Sequence, residues 1–184
     1  GIIIPLMPHF AETFGATPFL YGLLAASYSL MQFLFVPVWG RLSDRVGRRP
    51  ILLVSIAGSA VSFVLLGTAR SLTQLFVARI LSGLASSNLS VAQAYVADVT
   101  APEERTRGMG LVGAAFGLGF VVGPFVGGEL SRVAVSLPFG LEIHAGTAPF
   151  FLAAALSALN WILAFRFLPE SLSPLRTAGP ARAR

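Results

Sequence analysis

With 184 residues the chain has room for one domain, or two at most. Hydrophobic residues make up 55% and charged residues only 11%, against about 25% charged in a typical soluble domain, and the mean hydropathy is +0.78. A soluble globule of this size could not cover its surface with so few charges, so the composition points to an integral membrane protein. It excludes a secreted domain, a disordered chain and a nucleic-acid-binding module, and the lack of cysteine removes disulfides and thiolate metal sites.

A charge at the bilayer centre costs several kcal/mol and about 20 apolar residues span the hydrocarbon core, so the gaps between charged residues locate the crossings. Gly1 to Phe10 is apolar but reaches only ~15 Å as a helix, and reads as the tail of a crossing whose start is missing. Five long charge-free gaps follow, predicting helices over about 18–39, 50–69, 73–95, 108–130 and 147–167. Continuous apolar runs without period-2 alternation make these helices rather than barrel strands. Counting the truncated span, the total is six. Residues 1–168 form the bundle, and 169–184, rich in Pro, Ala, Ser and Arg, form an unstructured tail or the start of a linker.

All 13 basic residues are arginine, and their placement explains the net charge of +5. Arg41, Arg45, Arg48, Arg49, Arg105, Arg107, Arg166, Arg176, Arg182 and Arg184 fall at one end of the predicted spans, and only Arg70 and Arg132 at the other. The arginine-rich loops 40–49 and 96–107 and the tail 169–184 are therefore expected on the cytoplasmic side.

Three constellations stand out. In the stretch Gly40-Arg41-Leu42-Ser43-Asp44-Arg45-Val46-Gly47-Arg48-Arg49, a tight reversal explains the glycines and a positive-inside loop explains the arginines. Neither explains Asp44, a carboxylate able to lock the loop through charge-assisted hydrogen bonds. In the fourth span, Arg79, Gly83, Ser86, Ser90 and Gln93 fall at i, i+4, i+7, i+11 and i+14, one small and polar stripe that should face water or protein rather than lipid. Asn88 lies on the opposite side, as an interhelical hydrogen-bonding residue would. In the fifth span, Gly119, Gly123 and Gly127 repeat every four residues, admitting close approach of another helix, and Pro124 and Gly128 complete the string.

These stretches resemble the major facilitator superfamily of transporters. Residues 40–49 follow its G-x-L-A-D-R-x-G-R-R/K signature with Ser43 where Ala is usual; Arg79 to Gly83 resembles its fourth-helix R-x-x-x-G element; and Gly119 to Gly128 is similar to the G-x-x-x-G-P-x-x-G-G signature of its proton-coupled exporters. Pro5-Leu6-Met7-Pro8, Ala94 to Asp98 with Glu103 to Arg107, and Leu168 to Ser171 look like further elements of its tetracycline and multidrug exporters. The resemblance implies an all-α half-transporter of six helices as two inverted three-helix repeats. It implies that the first and fourth helices line a cavity, the second and fifth meet a missing six-helix half, and the third and sixth face lipid. It further implies proton-coupled export of small amphiphilic or drug-like molecules across a bacterial inner membrane. Asp44, Arg45, Arg48 and Asp98 would form a charge cluster that switches between states, Arg79 would sense a proton-carrying partner, and protons would be the coupling ion, with no other cofactor.

A uniporter or importer of the same superfamily is the alternative, and a membrane-embedded enzyme would need a nucleophile–base pair or metal ligands at depth, which the sequence does not offer. Gly108 to Gly113 satisfies G-x-G-x-x-G but opens a membrane helix with no preceding strand, so no dinucleotide site is expected. His9 and His144 lie in separate loops and suggest no metal site.

Overall fold

Polar residues at the edges of the apolar runs set where the helices begin. Thr17 accepts a hydrogen bond from the backbone N–H of Leu20 at 3.3 Å and Pro18 occupies the first turn, where its missing N–H does no harm. Ser71 likewise accepts from the N–H of Gln74 at 3.2 Å. The computed structural model describes residues 2–3, 7–132, 135–136, 142–143 and 146–171. Pro5, Leu6, His144 and the tail arginines Arg176, Arg182 and Arg184 lie outside these residues, as does the side chain of His9.

The helices are α1 (Met7–Glu12), α2 (Pro18–Val46), α3 (Arg48–Gly67), α4 (Leu72–Ala85), α5 (Leu89–Val99), α6 (Arg105–Leu130) and α7 (Ala148–Phe167). Short 3₁₀ turns occupy Ser86–Asn88 and Pro102–Glu104, and the two-residue strands Val135–Ser136 and Glu142–Ile143 pair antiparallel. Among the described residues five segments are long and apolar enough to cross a membrane, α4 and α5 together making one of them. The short helix α1 is not among the five; it overlaps the end of the expected first span.

Large apolar side chains cover the outside: Phe33 is 77% and Phe125 71% exposed, whereas Leu24 and Phe150 are fully buried. Such an exterior is stable only in lipid or against further protein. At the end remote from the arginines, α1 plugs the bundle, with the Phe10 ring 5.0 Å from that of Phe150 and 5.3 Å from that of Phe14. Gly15, at φ +75°, turns the chain from α1 into α2 with open space around it. A smaller core of Ile51, Leu52, Val91 and Tyr95 lies towards the arginine-rich end.

Two boundaries differ from the expected ones. Helix α2 does not stop at residue 39 but runs on to Val46, giving 29 residues and ~44 Å, so that most of the arginine-rich stretch is helix rather than loop. The reversal into α3 takes a single residue, Gly47, at φ +114° and ψ 155°. The expected 73–95 helix is interrupted at Ser86–Asn88. Helix α6, by contrast, continues through Pro124, and α2 through Pro37.

Candidate functional site

At the arginine-rich end, α2, α3, α5 and α7 converge on Arg48. The cause is local. Because α2 remains helical through Val46, Asp44 stands one turn before the reversal and Arg48 one turn after Asp44. Arg48 Nη1 lies 2.7 Å from Asp44 Oδ1, and its Nε donates to Asp98 Oδ2 at 3.3 Å. The side chains of Arg48 and Asp98 are only 12% and 19% exposed, that of Asp44 61%. The pairing with Asp98 is thus shielded from water, and that with Asp44 is a surface pair of small worth. Arg45 is exposed, and the described contacts of this cluster run through Arg48 instead.

Ser43 is fully buried. Its hydroxyl donates to the Gly40 carbonyl at 2.8 Å and accepts from Arg48 Nη1 at 2.6 Å, so the serine standing where alanine is usual gives the guanidinium a third acceptor. Ser43→Ala is expected to lower stability by about 1 kcal/mol, read as thermal unfolding of the purified protein. That effect should vanish when Arg48 has already been replaced by Gln.

The sequence did not point to Glu170 as a member of this end. Its carboxylate accepts from the backbone N–H groups of Arg48 at 2.9 Å and Arg49 at 3.2 Å, capping α3 from the chain beyond α7. An anion at a helix N-terminus satisfies orphan donors and complements the dipole. Arg49 returns the tie, donating from Nη2 to the Phe165 carbonyl at 2.7 Å with its guanidinium 5.7 Å from the Phe165 ring. Tyr95 Oη donates to the Pro169 carbonyl at 3.1 Å, and Ser171 Oγ to Asp98 at 3.4 Å. The only sequence signal for this was the resemblance of Leu168 to Ser171 to a family element.

Deeper in the bundle a cavity of about 750 Å³ opens between α2, α4 and α6. Tyr21, Tyr28, Arg79, Ser86, Phe116 and Phe120 are on its wall. Ile2 and Ile3 from the expected first span line it too, and Phe63 of α3 and Ser157 of α7 reach it as well, so the third and sixth spans do more than face lipid. The Arg79 guanidinium lies 5.7 Å from the Tyr28 ring centroid, and its Nε is buried with no hydrogen-bond partner among the described residues. Cation–π contact supports the charge but leaves its donors available.

The predicted stripe is only partly assembled here. Arg79 and Ser86 line the cavity, joined by Ser82, which the spacing had not singled out. Gly83 is turned into the contact with α2, where a Cβ would collide with the Tyr28 carbonyl and come within 2.9 Å of Met31 Cβ. Ser90 and Gln93 lie beyond the 3₁₀ turn and outside the cavity lining. Asn88 donates to Ser55 Oγ of α3 at 2.6 Å, the interhelical role its position suggested.

On α6, Gly123 and Gly127 are buried, and a Cβ on Gly127 would strike the Ile2 carbonyl. Gly119 borders the cavity with open space about its Cα, and Gly128 is likewise open. The bare face is therefore used near one end and vacant at the other. No group of His, Asp and Glu able to hold a metal occurs among the described residues.

Comparison with known proteins agrees with this architecture. The Major Facilitator Superfamily description matches residues 1–184. The chain is 39% identical over 186 residues to the class C tetracycline resistance protein of Escherichia coli, an alignment covering 100% of this chain and 44% of that protein. It is 38% identical over 162 residues to major facilitator superfamily domain-containing protein 10 of Homo sapiens, covering 88% of this chain and 32% of that one. The crystal structure of the human organic anion transporter MFSD10 (TETRAN) superposes with a TM-score of 0.77 at 30% identity, over 95% of this chain and 45% of that chain. The chain spans less than half the length of these relatives. On its match over every residue and its helical arrangement, the chain belongs to the major facilitator superfamily.

Proposed function

We propose that this protein works as a secondary active transporter, exporting small amphiphilic or drug-like molecules in exchange for protons by alternating access. The observation that carries this reading is Arg79: a guanidinium on the wall of an otherwise largely apolar cavity, its buried Nε without a partner among the described residues. Aromatic rings of α2 and α6 suit an amphiphilic substrate, and the guanidinium suits a carboxylate that gains and loses a proton, because a neighbouring cation favours the ionised form and burial the neutral one. The Asp44–Arg48–Asp98 cluster supplies contacts that can hold one state and break in another. Sequence likeness to the tetracycline resistance proteins supports the export direction, and their greater length supports a second six-helix half that completes the cavity.

The test is transport by proteoliposomes with and without an imposed pH gradient. Accumulation of a lipophilic fluorescent drug that follows the gradient is expected, whereas counterflow indifferent to pH would identify a uniporter. The membrane orientation is tested separately. Single cysteines at positions 45, 105 and 142, in a chain that has none, should react with an impermeant thiol reagent in intact cells only at 142. Labelling at 45 but not at 142 would invert the topology.

A further inference from the structure

The polar stripe read from the sequence and the stripe found on the cavity wall disagree in one place, and the disagreement has a geometric cause. Arg79, Gly83, Ser86, Ser90 and Gln93 align on a regular α-helix, yet Ser90 and Gln93 are not on the cavity wall. Between them and Arg79 stands the 3₁₀ turn Ser86–Asn88. Three residues wound at 120° rather than 100° rotate everything below them by about 60°, which takes Ser90 from about 20° to about 80° from Arg79 around the axis and leaves Gln93 about 20° from it, one turn further from the cavity. The Ser90 Oγ is buried with no hydrogen-bond partner among the described residues, an expensive arrangement inside a membrane protein.

The turn is held from α2. Trp39 Nε1 donates to the Leu84 carbonyl at 2.8 Å, and Gln32 Nε2 donates to the Ser86 carbonyl at 3.4 Å. Ser87 Oγ lies 2.8 Å from the Gly83 carbonyl and 3.3 Å from the Gln32 carbonyl. Leu84 and Ser86 stand just before and at the start of the overwound turn, so these side chains add donors from α2 to its backbone. Tyr28, Gln32 and Trp39 stand at i, i+4 and i+11, on one face of α2. The same face therefore meets Arg79 at one end and the turn at the other. Trp39 also packs against the core of Ile51, Leu52, Val91 and Tyr95.

We propose that Ser86–Asn88 is a two-state turn, overwound here and α-helical in the alternate state, with Trp39 and Gln32 as the positioning residues that latch the overwound form. Rewinding rotates α5 by about 60° relative to α4, brings Ser90 back to about 20° from Arg79 around the axis, and carries Asp98 round with it. Opening the latch thus changes the polar lining of the cavity and the charge cluster in one movement. The turn extends the alternating-access reading, but its test needs neither substrate nor proton gradient, so it can fail while that reading stands.

The test is thiol labelling in native membrane vesicles, using the absence of cysteine in the chain. The Ser86→Cys variant should react readily and the Ser90→Cys variant slowly. Adding Trp39→Phe, which keeps a ring but loses the donor, or Gln32→Met, of similar length and without a donor, should accelerate labelling at position 90 by about three- to tenfold. The rate at position 86 should stay within about twofold, since it lies at the pivot. Unchanged labelling at 90 in both backgrounds, with normal amounts of protein, would overturn the proposal. So would equal acceleration at 86 and 90, the mark of general loosening, or failure of both variants to accumulate, the mark of a purely structural role.

Discussion

Replacing Arg79 with lysine is expected to remove most export driven by a pH gradient, by about ten- to a hundredfold, while the protein remains in the membrane at near-normal amounts. Lysine keeps the positive charge, so a purely coulombic role would survive. What it loses is the planar fork that can hold a carboxylate through two parallel hydrogen bonds and the flat face that lies against Tyr28. Arg79→Ala should abolish export altogether. Arg79 sits seven residues into α4, about 10 Å from its start, close enough that a long side chain could simply reach for the headgroups. In that case lysine would substitute freely, and near-parental transport by the lysine variant would return Arg79 to a role in interfacial anchoring.

The largest effect on stability is expected from Gly47→Ala. At φ +114° and ψ 155° the residue occupies a region open essentially to glycine alone, and an alanine there costs about 1–3 kcal/mol. Its Cβ would also collide with the Glu170 carboxylate, displacing the exposed cap from the N–H groups of Arg48 and Arg49 for a further ~1 kcal/mol. A fall of about 2–4 kcal/mol would show as a large drop in the unfolding temperature of the purified protein. The two contributions separate in a double-mutant cycle: once Glu170→Ala has removed the cap, Gly47→Ala should cost only its backbone part. Full additivity would mean that Glu170 and Gly47 do not meet.

The spans were legible because insertion energetics leave a direct trace: a crossing is a long interval without charge. That trace ends at the membrane surface. Residues 40–46 carry charges and so read as a loop, although nothing in them opposes helix, and α2 simply continues into water. The turn at Ser86–Asn88 was hidden for a different reason. By their helical spacing Ser86 and Asn88 read as faces of one regular helix, and what distinguishes the turn is the pair of donors arriving from Gln32 and Trp39, more than forty positions earlier. Glu170 was hidden likewise, since its role depends on α7 ending beside the start of α3. Asp44, Arg48, Asp98 and Arg79 were visible because a charged side chain near or inside a bilayer needs a reason to be there.

The one-residue junction at Gly47 bears on where the chain can accept extra length. An inserted residue at that point would turn α3 by about 100° about its axis and shift it by about 1.5 Å, moving Arg48 away from Asp98 and the first N–H groups of α3 away from Glu170. Peptide tags or reporter domains placed between α2 and α3 would therefore disturb both ties together. The turn at Gly15 offers the opposite case, exposed and with open space around it. Additions there would project away from the bundle, which makes it the preferred place to attach an epitope or a fluorophore.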